Sequence, residues 1–123
     1  MRVLAIDDSR TIRDMVRLTL EREGIETVLA DDGIYGIEVL DGMDTHPDAI
    51  LTDVNMPRLD GFGFIERVRQ QPEYAGIPIL VLTTESARDL KLRARASGAT
   101  GWIVKPFDPA RLVVALRTVT GLA

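Results

Sequence analysis

The chain has 123 residues, a size that suits one domain with a real core. Fifteen basic against nineteen acidic residues leave a formal charge of −4, which argues against a general grip on nucleic acid or on an anionic membrane surface. Cysteine is absent, which excludes disulfides, thiolate metal sites and thiol nucleophiles, and no apolar run approaches the roughly 20 residues of a membrane span.

The first element is a strand, Val-Leu-Ala-Ile at 3–6, which runs into Asp7-Asp8. The N-terminal residues are too few and too soon acidic for a signal peptide, so a cytoplasmic protein is expected. Ser9 can cap a helix to about Glu23, with Ile12, Met15, Val16 and Leu20 on its inner side and Gly24 as its stop. A second strand covers 26–30, and Asp31 and Asp32 behind it read as helix-capping residues. The helix they introduce runs roughly over 34–40 and is weakened by Gly36. Ala-Ile-Leu-Thr at 49–52 is the third strand, and it ends against Asp53. The third helix opens near Gly61, turns Phe64, Ile65 and Val68 inward, and stops before Pro72. The fourth strand, 78–83, ends at Thr83. A helix capped by Ser86 then puts Ala87, Leu90 and Ala94 at helical spacing and finishes at Ser97-Gly98. The last strand, 101–104, runs into Lys105-Pro106. Asp108 caps the last helix and Pro109 opens it, with Leu112, Val113, Leu116 and Val119 facing inward.

Five alternations of strand and helix with short connections imply a parallel sheet, right-handed crossovers and helices on both faces. Strands this rich in Val, Ile and Leu, without polar alternation, suit burial on both sides. The common doubly wound order for five strands is 2-1-3-4-5, and ligands in such sheets bind beyond the carboxyl ends of the strands. Four of the five ends then carry chemistry: Asp7 and Asp8, Asp53, Thr83, and Lys105. Two unit charges 4 Å apart repel by about 4 kcal/mol near a protein surface, so clustered carboxylates take up a proton or a cation. Hard oxygen donors without His or Cys favour Mg²⁺, or else Mn²⁺ or Ca²⁺, over zinc. Mg²⁺ ordinarily completes its shell with water and phosphate oxygens. A lysine and a threonine hydroxyl beside it would cover the remaining charge of a phosphoryl group, and an aspartate can serve as its nucleophile.

The set Ile-Asp-Asp-Ser, Leu-Thr-Asp-Val-Asn-Met-Pro-Arg-Leu-Asp-Gly, Val-Leu-Thr-Thr-Glu-Ser and Ile-Val-Lys-Pro-Phe, in this order and spacing, resembles the receiver domain of two-component response regulators. The single-domain chemotaxis type, CheY-like, is the nearest pattern, and since the resemblance covers 1–123, a receiver domain without an output domain is expected. It implies a flavodoxin-like (βα)5 sandwich, a monomer, and a phosphoprotein charged by the phosphohistidine of a sensor histidine kinase. Asp53 would be the phosphoacceptor. Asp8 and Asp53 would bind Mg²⁺ directly, Asn55 through its backbone carbonyl, and Asp7 through water. Lys105, before a cis proline, would contact Asp53 and then the phosphoryl oxygen. Thr83 would move toward the phosphate and Trp102, where family members usually carry Tyr or Phe, would turn inward behind it. Asn55 and Glu85 occupy the positions that tune attack of water on the acyl phosphate. Output would pass through the face of the fourth helix, fifth strand and fifth helix to a flagellar motor switch component or to a phosphotransfer protein in a relay.

Taken singly, each residue has a plainer reading: Asp7 and Asp8 as strand-end turn or cap residues, Asp53 as an Asx-turn, Lys105 as a solvated loop lysine, Trp102 as core. Their joint placement favours the site. His46 reads as a loop residue. Gly61-Phe62-Gly63-Phe64 lacks the third glycine of a dinucleotide fingerprint, because Glu66 stands there. Arg88, Lys91, Arg93 and Arg95 give the fourth helix a basic side, by default a solvated one. Dehalogenase-type phosphatases also use an Asp nucleophile with Mg²⁺, but they place it on the first strand and follow it with a second Asp, where this chain has Asn55. A flavin binder of the same sheet order needs a phosphate loop after the first strand, and here that loop is acidic.

Overall fold

In the computed structural model, which describes residues 1–84 and 88–122, five strands form one parallel sheet in the order β2-β1-β3-β4-β5. These are β1 (Arg2–Ile6), β2 (Glu26–Ala30), β3 (Ala49–Asp53), β4 (Ile79–Thr83) and β5 (Gly101–Val104). The helices are α1 (Arg10–Glu21), α2 (Gly33–Gly42), α3 (Gly61–Gln70), α4 (Arg88–Ser97) and α5 (Pro109–Thr120), with a 3-10 turn at Pro72–Tyr74. Ser86, expected to cap α4, and Ala87 lie outside the described residues.

The two-residue period of a strand divides the apolar runs between two cores. Leu4, Ile6, Ile50, Ile79 and Val81 point to the face covered by α2, α3 and α4, where Leu40, Phe64, Ile65, Val68 and Ala94 meet them. Val3, Ala5, Ala49, Leu51, Leu80 and Leu82 point to the opposite face, against Val16 and Leu20 of α1 and Leu112, Val113 and Leu116 of α5. Each fully buried Leu, Ile or Phe contributes about 1.5–3 kcal/mol relative to exposure, so the central strands β1, β3 and β4 cannot slip register without exposing several such residues at once.

Ser9, Asp32 and Asp108 cap helices as expected, and Asp60 caps α3 without having been singled out; each accepts a backbone N–H of the first turn. Asp31 is exposed and does not cap, because only one residue can occupy that position ahead of α2. Two further expectations are corrected. Helix α1 ends at Glu21, and the chain turns through Gly24 at φ +72°. Met15 is 41% exposed, since the contact stripe of α1 is narrower than its apolar stripe. Gly36, which weakens α2 on propensity, is a packing residue: a Cβ there would run into the Ile6 and Phe64 side chains. Its absence lets α2 lie close on β1.

Candidate active site

Strands β1 and β3 are neighbours, with Ile6 beside Thr52. The next residues along each chain are therefore forced together at the carboxyl edge of the sheet. Asp7 is 2% exposed and Asp53 is 9% exposed, whereas Asp8 is exposed. One carboxylate oxygen from each of the three lies within 4.8 Å of the others.

Lys105 stands between two of these acids. Its Nζ donates to Asp7 Oδ2 at 2.8 Å and to Asp53 Oδ1 at 3.1 Å, and the Lys105–Pro106 peptide bond is cis. The lysine is tied back to β4 by its own backbone, whose N–H donates to the Thr83 carbonyl at 2.7 Å. Sequence reasoning directed Lys105 to Asp53 alone. In the structure Asp7 is the closer partner, and it is fixed further by accepting the Ser9 N–H at 2.9 Å on its other oxygen. The Asp7 carbonyl accepts Arg13 Nη1 at 2.7 Å.

One cation among three carboxylates does not balance the pocket. Burial, then the neighbouring charge of Asp7, pushes the Asp53 carboxyl up to about 6, against the opposing pull of Lys105 and the Val54 N–H. Burial draws Lys105 down, but its hydrogen bonds and charge pairing with Asp7, and then with Asp53, carry it above the ordinary lysine value. Excess negative charge in a nearly closed pocket, presented entirely on hard oxygen donors, fits a divalent cation such as Mg²⁺. Asp7, Asp8 and Asp53 are the side chains positioned to hold it.

The open side of the pocket encloses about 170 Å³ and is lined by Asp53, Asn55, Thr83, Thr84, Phe62 and Arg93, among others. Thr83 is the last residue of β4 and is buried, and Asn55 is exposed in the loop after β3. Trp102 of β5 pairs in register with Val81. It shares a small apolar wall with Thr83, Leu90 and Ala94, and Lys91 Nζ sits 5.1 Å from its ring centroid. Trp102 thus adjoins Thr83 from behind, outside the open pocket. Glu85, the other expected tuning residue, lies outside the described residues.

Three features were not anticipated. Arg58 adopts φ +67° and grips Asp32 with both arms of its guanidinium, at 2.8 and 3.0 Å, which holds the Asp32 carboxyl below its usual range. This ties the loop after Asp53 to the N-terminus of α2. Gly61 is required where it stands, because a Cβ would collide with the Asp53 carbonyl oxygen; the Gly-Phe-Gly-Phe run is a close approach of helix to strand. The basic side of α4 is only partly solvated: Lys91 covers Trp102, and Arg93 covers Phe62 with 4.4 Å from guanidinium to ring centroid. The aromatic residues themselves were visible in the sequence, but nothing local announced the cations above them.

His46 is a loop residue, as read, with its ring edge-on to Tyr74 at 4.9 Å. Among the described residues, no helix is long and apolar enough to cross a membrane.

Comparison with known proteins extends the geometry. The family model for the response regulator receiver domain matches residues 3–117. Chemotaxis protein CheY1 of Helicobacter pylori is 36% identical over 123 residues, covering 98% of each chain. The structure of chemotaxis response regulator CheY4 of Vibrio cholerae superposes with a TM-score of 0.90 at 45% identity, covering 96% of this chain and 97% of that one. The sensor histidine kinase CheAY of Helicobacter pylori is 39% identical over 106 residues, 86% of this chain but only 13% of the kinase. A match that runs through every strand and every acidic strand end makes this chain a member of the response regulator receiver domain family, CheY-like in type and a module of two-component signalling.

Proposed function

We propose that Asp53 accepts a phosphoryl group from the phosphohistidine of a sensor histidine kinase, and that the resulting change in the pocket alters a protein-binding face. The observation that carries this reading is the shared Lys105, within 3.1 Å of both Asp7 and Asp53, two members of a three-carboxylate cluster. A structural salt bridge needs one acid. Here two acids share one cation, and burial together with the charge of Asp7 leaves Asp53 with its pKa raised, a nucleophile short of positive charge.

Asp53 supplies the attacking oxygen. A bond forms from it to phosphorus, the P–N bond of the donor breaks, and the electron pair returns to the imidazole nitrogen. Its other duties are held by neighbours: the Val54 N–H at 2.8 Å and Lys105 fix the carboxylate's orientation. Lys105 then follows the negative charge outward onto a phosphoryl oxygen, and Thr83, buried at the end of β4, donates its hydroxyl to another. Mg²⁺, held by Asp8, Asp53, the Asn55 carbonyl and, through water, Asp7, would neutralise charge on the phosphoryl oxygens when bound. By family resemblance, Asn55 and Glu85 would tune the attack of water on the acyl phosphate.

The backbone bond from Lys105 to Thr83 joins the two residues that would respond to phosphate. Trp102 lines a small apolar cavity together with the same threonine on the β5 side. Movement at Thr83 would therefore reach the surface formed by α4, β5 and α5, where a downstream partner would bind. A chemotaxis output, at a flagellar motor switch component, is supported by the similarity to CheY1 and CheY4. By linkage, a partner that prefers the phosphorylated shape also favours phosphorylation.

The experiment is phosphoryl transfer from a radiolabelled phosphohistidine domain, with and without Mg²⁺. The wild type becomes labelled only with the ion, and Asp53→Asn stays unlabelled. Equal labelling of the variant removes the proposed acceptor.

A further inference from the structure

Helix α4 brings into the pocket a cation that the chemistry above does not use. Arg93 and Phe62 both line the space that opens onto Asp53 and Thr83, and the guanidinium carbon sits over the ring, 4.4 Å from its centroid. Phe62 is 2% exposed and fixed in the core between α3 and the sheet, so it is a rigid platform. A cation–π contact of this kind restrains a long side chain without engaging its N–H donors in an ion pair.

Among the described residues, Arg93 makes no ion pair with a carboxylate. Asp60 lines the same pocket, but as the cap of α3 its Oδ1 accepts the Gly63 N–H at 2.7 Å, and it forms no ion pair with Arg93. Lys105 is held by two acids on the far side. The pocket therefore has a carboxylate wall and, on another part of its lining, a restrained guanidinium that pairs with no carboxylate among the described residues. Arg93 is thus one of the residues around the opening that leads to Asp53.

We propose that Arg93 is a donor-selecting residue, whose guanidinium receives the anionic leaving group of an acyl phosphate as it delivers its phosphoryl group to Asp53. The inference rests on the function proposed above. In the step itself an Asp53 oxygen bonds to phosphorus, the bridging P–O bond of the acyl phosphate breaks, and the electron pair departs on the carboxylate, acetate in the case of acetyl phosphate. Arg93 forms and breaks no bond. Its donors balance the charge gathering on the departing oxygens. Phosphoramidate already carries its proton on nitrogen and releases neutral ammonia, so it gains little from Arg93. The residue thus acts on donor preference and leaves competence to Asp53 and Lys105.

Initial rates of phosphoryl incorporation, measured by acid quench with Mg²⁺, separate the two effects. Arg93→Gln is expected to slow acetyl phosphate by about fivefold, a modest value suited to an exposed cation, and to leave phosphoramidate nearly unchanged. Arg93→Lys recovers part of the loss. The difference between donors shrinks in about 1 M salt, where the screening length is only about 3 Å. Equal slowing of both donors, or no slowing of either, overturns the role of Arg93 while leaving Asp53 as acceptor. If the wild type takes a phosphoryl group from neither donor, the proposed function fails and the inference with it.

Discussion

Replacing Asp53 with asparagine should stabilise the metal-free protein. Asp53 is almost closed off from water, its nearest charged neighbours are one further buried acid and one lysine shared between them, and its carboxyl titrates near 6. A free aspartate titrates near 3.9, and the difference of about two pH units is worth about 3 kcal/mol as an upper bound. The side chain keeps 13% of its exposure at the pocket opening, so water screens part of this, and about 1–3 kcal/mol is expected. The sign follows from proton linkage. Because the folded-state pKa lies above the unfolded value, the folded form binds the extra proton between about pH 4 and pH 6. Stability falls as pH rises through that window, and the full penalty remains above it. Asparagine keeps an oxygen for Lys105 and the Val54 N–H but carries no charge. Urea unfolding in a chelating buffer at about pH 7.5 should therefore give the variant a higher midpoint with an unchanged slope, and the advantage should shrink toward pH 4. A variant equal to or weaker than the wild type at the higher pH would refute the reasoning, since the pairing with Lys105 would then outweigh burial and repulsion.

Lys105→Met should act in the opposite direction, destabilising the metal-free protein by about 3 kcal/mol at neutral pH through two unpaired buried acids. Denaturation should show the loss easing in acid, as the acids take up protons. Trp102, the only tryptophan of the chain, adjoins Thr83, so its fluorescence should change with Mg²⁺ or with a beryllofluoride phosphoryl mimic. An unresponsive signal would mean that the pocket is not coupled to β5.

Local pattern made the sheet legible. Val-Leu-Ala-Ile and Ile-Leu-Val-Leu are apolar at every position because α2, α3 and α4 cover one face while α1 and α5 cover the other. The carboxyl ends of parallel strands share one edge, so Asp7, Asp8, Asp53 and Lys105 could be brought together from topology alone. Partner choice within that edge was less visible. Asp7 and Lys105 are 98 residues apart, and the registers that run from β1 through β3 and β4 to β5, which no local pattern shows, set which acid the lysine reaches. The same holds for Arg58 with Asp32 and for Arg93 with Phe62: each pair joins different elements, and neither member carries a periodic signal. Met15 failed for a related reason, because a helical stripe records which side can be buried and not how much of it a neighbour covers.

The measurement closest to the central claim is chemical location of the phosphoryl group. Protein treated with acetyl phosphate and Mg²⁺ is reduced with borohydride, which converts an aspartyl phosphate to homoserine, and then mapped by peptide mass spectrometry. Conversion confined to position 53 and dependent on Mg²⁺ is the predicted result; conversion at another carboxylate, or at none while the donor is consumed, would contradict it.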